Sequence, residues 1–194
     1  MRRTVFLVCI TALLPFAPTA CSNDPCPPGQ TLHVGRFHDR FQARSRGCVD
    51  RDDAGRIRLQ GRWEWFYESG RPEAVGAYRN GRADGPTGQT GIPRRGREGP
   101  WMFWHANGQK KQQLSYVDGR PEGPGYQWYE NGQQQYEAQF RDGRADGAWN
   151  SWYANGQKHQ EGTYEDGQPV GVWTVWDESG VKVHEGPYRD DLLR

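Results

Sequence analysis

The chain has 194 residues, with 25 Lys plus Arg against 24 Asp plus Glu, for a net charge of +1. That balance excludes a general nucleic-acid binder, which must neutralise phosphates with a basic surface. A mean hydropathy of −1.02 argues against a large aliphatic core, and the 26 Gly and 13 Pro follow no collagen-like period, so 9 Trp, 9 Tyr and 7 Phe must stabilise a small, turn-rich β protein.

Residues 1–20 read as an export signal. Arg2 and Arg3 open it, and Val5 to Leu14 is apolar apart from Thr11. Ten such residues are too few to span a bilayer, which needs about 20, and suit the apolar stretch of a signal peptide. Without this segment the charges stand at 23 against 24, a net −1. Pro18-Thr19-Ala20-Cys21 resembles a bacterial lipobox, in which the cysteine after the cut is lipidated. An ordinary cut after Ala20 would instead leave Cys21 as a free thiol. Cysteine parity favours lipid, because it leaves Cys26 and Cys48 as an even pair in an oxidising compartment. Ser22 after the cysteine points to the outer membrane, by resemblance to bacterial lipoproteins.

Residues 21–60 are expected to be a lipid-anchored N-terminal segment, closed by a Cys26–Cys48 disulfide and capping the repeats beyond it. Within it, Asp53 to Gly61 reads as a return strand leading into Trp63. Residues 61–194 then divide into five repeats. Gly108, Gly132, Gly156 and Gly180 are 24 apart, as are Tyr116, Phe140, Tyr164 and Tyr188. Gly70 and Tyr78 supply the first copy once a loop at 86–98 is set aside. The unit is Gly-x-Trp-x-x-Trp-x-x-Asn-Gly-Gln, then Tyr-x-Asp-Gly. Copy four, with Trp149, Trp152, Asn155-Gly156-Gln157, Tyr164 and Asp166-Gly167, is the cleanest. Copy three has Gly125 at the first Trp position. Asn-Gly and Asp-Gly are the preferred pairs for two-residue type I′ hairpin turns, so each repeat is predicted to be a hairpin and the array an antiparallel meander. Trp149 and Trp152 are three apart, which requires either a bulge or aromatics on both faces of the sheet.

This motif resembles the variant MORN repeat over residues 61–190. The resemblance implies an all-β fold, an elongated run of stacked β-hairpins, and a scaffold that binds proteins or membranes. Some bacterial members are described as antitoxin or immunity halves of toxin pairs.

Catalytic chemistry does not announce itself. His33, His38, His105, His159 and His184 form no metal-ligand spacing, and no cofactor or metal is implied. Asp118, Asp142 and Asp166 occupy equivalent turns, where turn chemistry accounts for them. The aromatic columns carry more. Trp63, Trp101, Trp149 and Trp173, with the Tyr column, are expected to pack hairpin on hairpin. Trp104, Trp128, Trp152 and Trp176 are the candidates to line a surface for a protein partner or a glycan. Arg94, Arg95 and Arg97 in the inserted loop are candidate contacts to anionic lipid, together supplying about 3 kcal/mol and so assisting an anchor rather than replacing one. The expected protein is a non-enzymatic, exported envelope lipoprotein, periplasmic or surface-facing, whose repeats bind a protein partner. The alternatives are an antitoxin or immunity protein, and a module binding cell-wall glycan or membrane lipid.

Overall fold

A computed structural model of the chain describes residues 26–36, 43–82 and 91–189. The expected signal peptide, the lipidation at Cys21 and the first part of the inserted loop lie outside the described residues. The rest forms one antiparallel sheet of twelve strands in chain order: β1 Thr31–Arg36, β2 Ala43–Arg51, β3 Ile57–Phe66, β4 Pro72–Arg82, β5 Arg97–Trp104, β6 Lys110–Val117, β7 Arg120–Trp128, β8 Gln134–Arg141, β9 Arg144–Trp152, β10 Lys158–Glu165, β11 Gln168–Trp176 and β12 Lys182–Pro187. The all-β meander expected from the repeats is what the chain adopts. Five hairpins, from β3–β4 to β11–β12, are the five repeats. β1 and β2 add a sixth antiparallel pair, with β2 hydrogen-bonded to β3, and Cys26 is bridged to Cys48 in β2. The sheet runs unbroken past both irregularities, the insertion and Gly125. The insertion is shorter than its sequence register suggests, because β5 already begins at Arg97.

The two kinds of turn differ, which corrects the expectation that both are type I′. Asp118, Asp142 and Asp166 have φ of 48° to 50°, and the glycines after them 81° to 86°, as type I′ demands at both central positions. The Asn-Gly turns are one residue longer. Gly108 N donates to His105 O, and only Gly108 has positive φ (95°), so a type I turn is followed by a left-handed glycine. The asparagine contributes its side chain instead. Asn107 Oδ1 accepts from Gln109 N at 2.9 Å, which holds the loop shut.

The strands carry bulges ahead of the second Trp of each pair, and in β9 the Trp-x-x-Trp stretch itself is regular. Gln113 pairs with Tyr126 and Ser115 with Glu122, so β7 carries two extra residues there. The same excess recurs at β9 and β11, beside Gly147 (φ 121°) and Gly171 (φ 68°). Past the bulge, Trp149 faces Gly162 and Ser151 faces Gln160, so Trp152 points to the opposite face. Both faces of the sheet therefore carry aromatics.

Candidate functional site

One face holds the core. Trp63, Trp101 and Trp173 are essentially inaccessible to water. They alternate with the Tyr column in edge-to-face contacts: Trp63–Tyr78–Trp101–Tyr116 at the N-terminal end, and Trp149–Tyr164–Trp173–Tyr188 at the other. Such pairs add about 0.5–1.5 kcal/mol each beyond burial, so the hairpins stabilise one another across repeat boundaries. The Trp rings need bare backbone beneath them. A Cβ on Gly47, Gly76 or Gly162 would lie 2.1–2.3 Å from the ring of Trp63, Trp101 or Trp173. Copy three exchanges the two roles. Leu114 stands where Gly76 and Gly162 stand, and Gly125 replaces the Trp that would cover it. A Cβ on Gly125 would meet Leu114 Cδ2 at 2.5 Å. The missing Trp is thus filled from the neighbouring strand.

The inserted segment also packs on this face. Ile92 is fully buried, and Tyr78 Oη donates to Pro93 O at 2.7 Å. Arg97, expected in a lipid-contact loop, is only 4% exposed. Its guanidinium donates to Ile92 O, Pro93 O and Tyr116 Oη, each at 3.0 Å, and lies 4.6 Å from the Trp101 ring centroid. It therefore cannot reach a membrane, and of the three arginines only Arg94 and Arg95 are exposed. The sequence could not separate them, because all three share a Gly- and Pro-rich stretch.

Trp104, Trp128, Trp152 and Trp176 line up on the outer face at the same height of alternate strands. Two strand spacings put neighbours about 10 Å apart. All four are partly exposed. Lys110 Nζ stands over the Trp128 ring and Lys158 Nζ over the Trp176 ring, each 5.6 Å from its centroid. Cross-repeat ladders that the motif alone did not reveal hold these residues in register. Tyr67, Tyr129 and Tyr153 donate from Oη to the carbonyls of Trp104, Trp152 and Trp176 at 2.7–2.9 Å, and His105 Nε2 meets Trp128 O at 2.8 Å. Asn107, Asn131 and Asn155 donate to Glu130 O, Ala154 O and Glu178 O. At the other sheet end Arg79, Arg120 and Arg144 bridge to Asp118, Asp142 and Asp166, at 2.7–3.1 Å. These carboxylates serve turns and ladders.

Two concavities matter for binding. The larger, about 690 Å³, lies at the N-terminal edge between Leu32, Val49 and Ile57, and both are open to solvent. The smaller, about 280 Å³, lies in the C-terminal half against Tyr136, Trp149, Ser151 and Gln160. His159 borders it and packs at a tilt against Tyr153 with centroids 4.3 Å apart; burial holds its imidazole below the ordinary value. Among the described residues, no group of three His, Cys, Asp or Glu side chains is arranged to hold a metal ion, and no helix is long and apolar enough to cross a membrane.

Comparison with known proteins agrees with this geometry. No curated protein matches the chain. Residues 59–80, 97–118, 121–142 and 145–166 match the family model described as the MORN repeat variant, and each match covers one hairpin from β3–β4 to β9–β10. Four hairpins of this chain thus match the MORN repeat variant, a module that generally serves interaction or binding and is typically non-enzymatic.

Proposed function

We propose that this protein is an exported, lipid-anchored binding module of the cell envelope, whose outer sheet face engages a protein partner. The observation that carries the reading is the column of Trp104, Trp128, Trp152 and Trp176. Four partly exposed indoles are held in line by hydrogen bonds that cross every repeat boundary. Indoles that stay accessible in spite of their size are favoured as anchors of protein interfaces. A rigid sheet presents them with little ordering cost, which makes binding tighter for a given contact area. The basic start, the apolar run Val5–Leu14 and Cys21 support export and tethering.

The test is cross-linking and pull-down of the tagged full chain at native expression, beside a Trp128→Ala, Trp176→Ala form with unchanged circular dichroism. One dominant protein, lost in the double variant, is the expected result, and a toxin as that protein would make this chain an immunity protein. No enriched protein, or equal capture by both forms, would overturn the reading and favour the glycan alternative. Cys21→Ser should move the mature chain from the membrane to the soluble fraction.

A further inference from the structure

Four buried side-chain polar atoms lack a hydrogen-bond partner among the described residues: Gln30 Oε1, Trp65 Nε1, Trp149 Nε1 and Ser151 Oγ. The last two share one cleft. Unmet buried donors are costly, about 1–3 kcal/mol each, and are uncommon without a reason. The same indole in other copies is satisfied. Trp63 Nε1 donates to Cys48 O and Gln60 O, Trp101 Nε1 to Ala77 O, and Trp173 Nε1 to Val170 O. Trp149 differs because its ring lies flat on Tyr136, with centroids 5.0 Å apart and planes 17° apart. Tyr136 stands where copies one, two and four have Ala74, Gln112 and Gln160. Tyr136 is therefore the cleft residue that departs from the other copies, and it changes the setting of a motif Trp.

The N-terminal hairpins show what this face accepts. There, residues 91–97 of the chain itself cover it: Ile92 is buried against the aromatics, and the Ile92 and Pro93 carbonyls take hydrogen bonds from Arg97 and Tyr78. No described segment covers the corresponding face over β8, β9 and β10. We infer that this cleft, formed by Tyr136, Trp149, Ser151 and Gln160, binds an extended, uncharged apolar peptide segment of a partner, seated as residues 91–97 are seated on the N-terminal hairpins. A peptide backbone offers a carbonyl to Trp149 Nε1–H and a second polar group to Ser151 Oγ at neighbouring positions. The lining contains no carboxylate, lysine or arginine, so a charged side chain would be desolvated there without compensation. Trp149 and Ser151 face away from the column from Trp104 to Trp176, and of that column only Trp152 borders the cleft, so the inference goes beyond the proposed function and Trp128→Ala lets the two fail separately.

The experiment selects peptides from an unbiased phage-displayed 12-residue library against the full mature chain. Synthetic winners are then titrated into 15N-labelled protein while the Trp149 indole N–H resonance is followed, assigned with Trp149→Phe. Winners should be uncharged at their core, combine aliphatic residues with proline, and move the Trp149 indole signal. Ser151→Leu, which fills the cleft, should weaken them at least tenfold, and Trp128→Ala should leave them unchanged. The wild-type indole shift needs no variant, so a misfolded Ser151→Leu would not obscure the answer. Winners that leave the Trp149 signal unmoved, or that carry charged cores, would overturn the inference. So would a shift produced by β-1,4-linked N-acetylglucosamine oligomers but not by peptides, or one produced by self-association of the chain.

Discussion

The exchange between Leu114 and Gly125 makes the sharpest prediction, because both residues look like defects in the repeat and the structure makes each the reason for the other. Leu114→Gly removes a side chain that is 5% exposed and leaves Gly125 opposite a void. Truncating a buried leucine costs about 2–5 kcal/mol, and glycine within a strand adds about 0.5–1 kcal/mol. Gly125→Trp alone drives an indole into Leu114 Cδ2 and the Phe140 ring, which lie 2.5 Å and 2.7 Å from its first carbon. Such overpacking costs about 1–3 kcal/mol. Together the two changes rebuild the arrangement of Trp101 over Gly76 and of Trp173 over Gly162. The double variant should return to within about 1 kcal/mol of the parent, a favourable coupling of about 2 kcal/mol or more, near the upper end for touching residues. Urea unfolding followed by far-ultraviolet circular dichroism measures all four corners of the cycle. Constant slopes are required before free energies are compared, since arrays can unfold in parts. Additive effects, with the double variant worse than either single one, would refute the exchange.

Four further outcomes rest on the same packing. Gly162→Ala places a Cβ 2.3 Å from the Trp173 ring and should cost about 1–3 kcal/mol, roughly 2–4 °C of Tm per kcal/mol, whereas Gly186→Ala, whose nearest neighbour is His184 at 3.5 Å, should be nearly neutral. Arg97→Met removes three buried hydrogen bonds, to Ile92 O, Pro93 O and Tyr116 Oη, so a loss of about 3 kcal/mol is expected in urea; Arg97→Lys should not restore it and Arg95→Met should be silent. Replacing Cys26 and Cys48 with Ala opens a crosslink spanning 22 positions and should lower stability by about 3 kcal/mol, an effect that reductant should reproduce in the parent. Burial holds His159 below its ordinary value of 6.5, so the unfolded chain takes up the proton more readily. Its contribution is complete above about 6.5 and is lost as pH falls from there through the lower folded value. The urea midpoint should drop more between pH 7.5 and 5.5 in the parent than in His159→Gln.

Much of this protein was legible in the sequence because its information is local and repeated. A glycine and an acidic or amide residue recurring every 24 positions dictate where the chain turns, and the left-handed conformations they permit are rarely open to other residues. The ten strands of the five repeats and their antiparallel order follow from turn chemistry alone. The pairing of Cys26 with Cys48 followed from parity once an export signal was read. The pair β1–β2 was missed, because its residues lie outside the repeat motif. Gly47, which leaves room for the Trp63 ring as Gly76 does for Trp101, was the signal that it belongs to the array.

Tertiary structure decided whatever depends on contact between distant residues. It settled the faces of Trp149 and Trp152, because β9 alternates regularly from Trp149 to Trp152 and its bulge lies ahead of both, beside Gly147. It turned Arg97 away from solvent, because three aromatic rings and three oxygens meet where the chain re-enters the sheet, and turned the arginine-bearing segment expected to meet lipid into cover for the N-terminal core. It packed Leu114 over Gly125 across neighbouring strands and left Trp149 Nε1 and Ser151 Oγ without a hydrogen-bond partner among the described residues. Turns are encoded by the conformational limits of one or two residues and so can be read in order along the chain. Packing is a property of side chains brought together from different strands, and only the folded sheet sets those neighbours side by side.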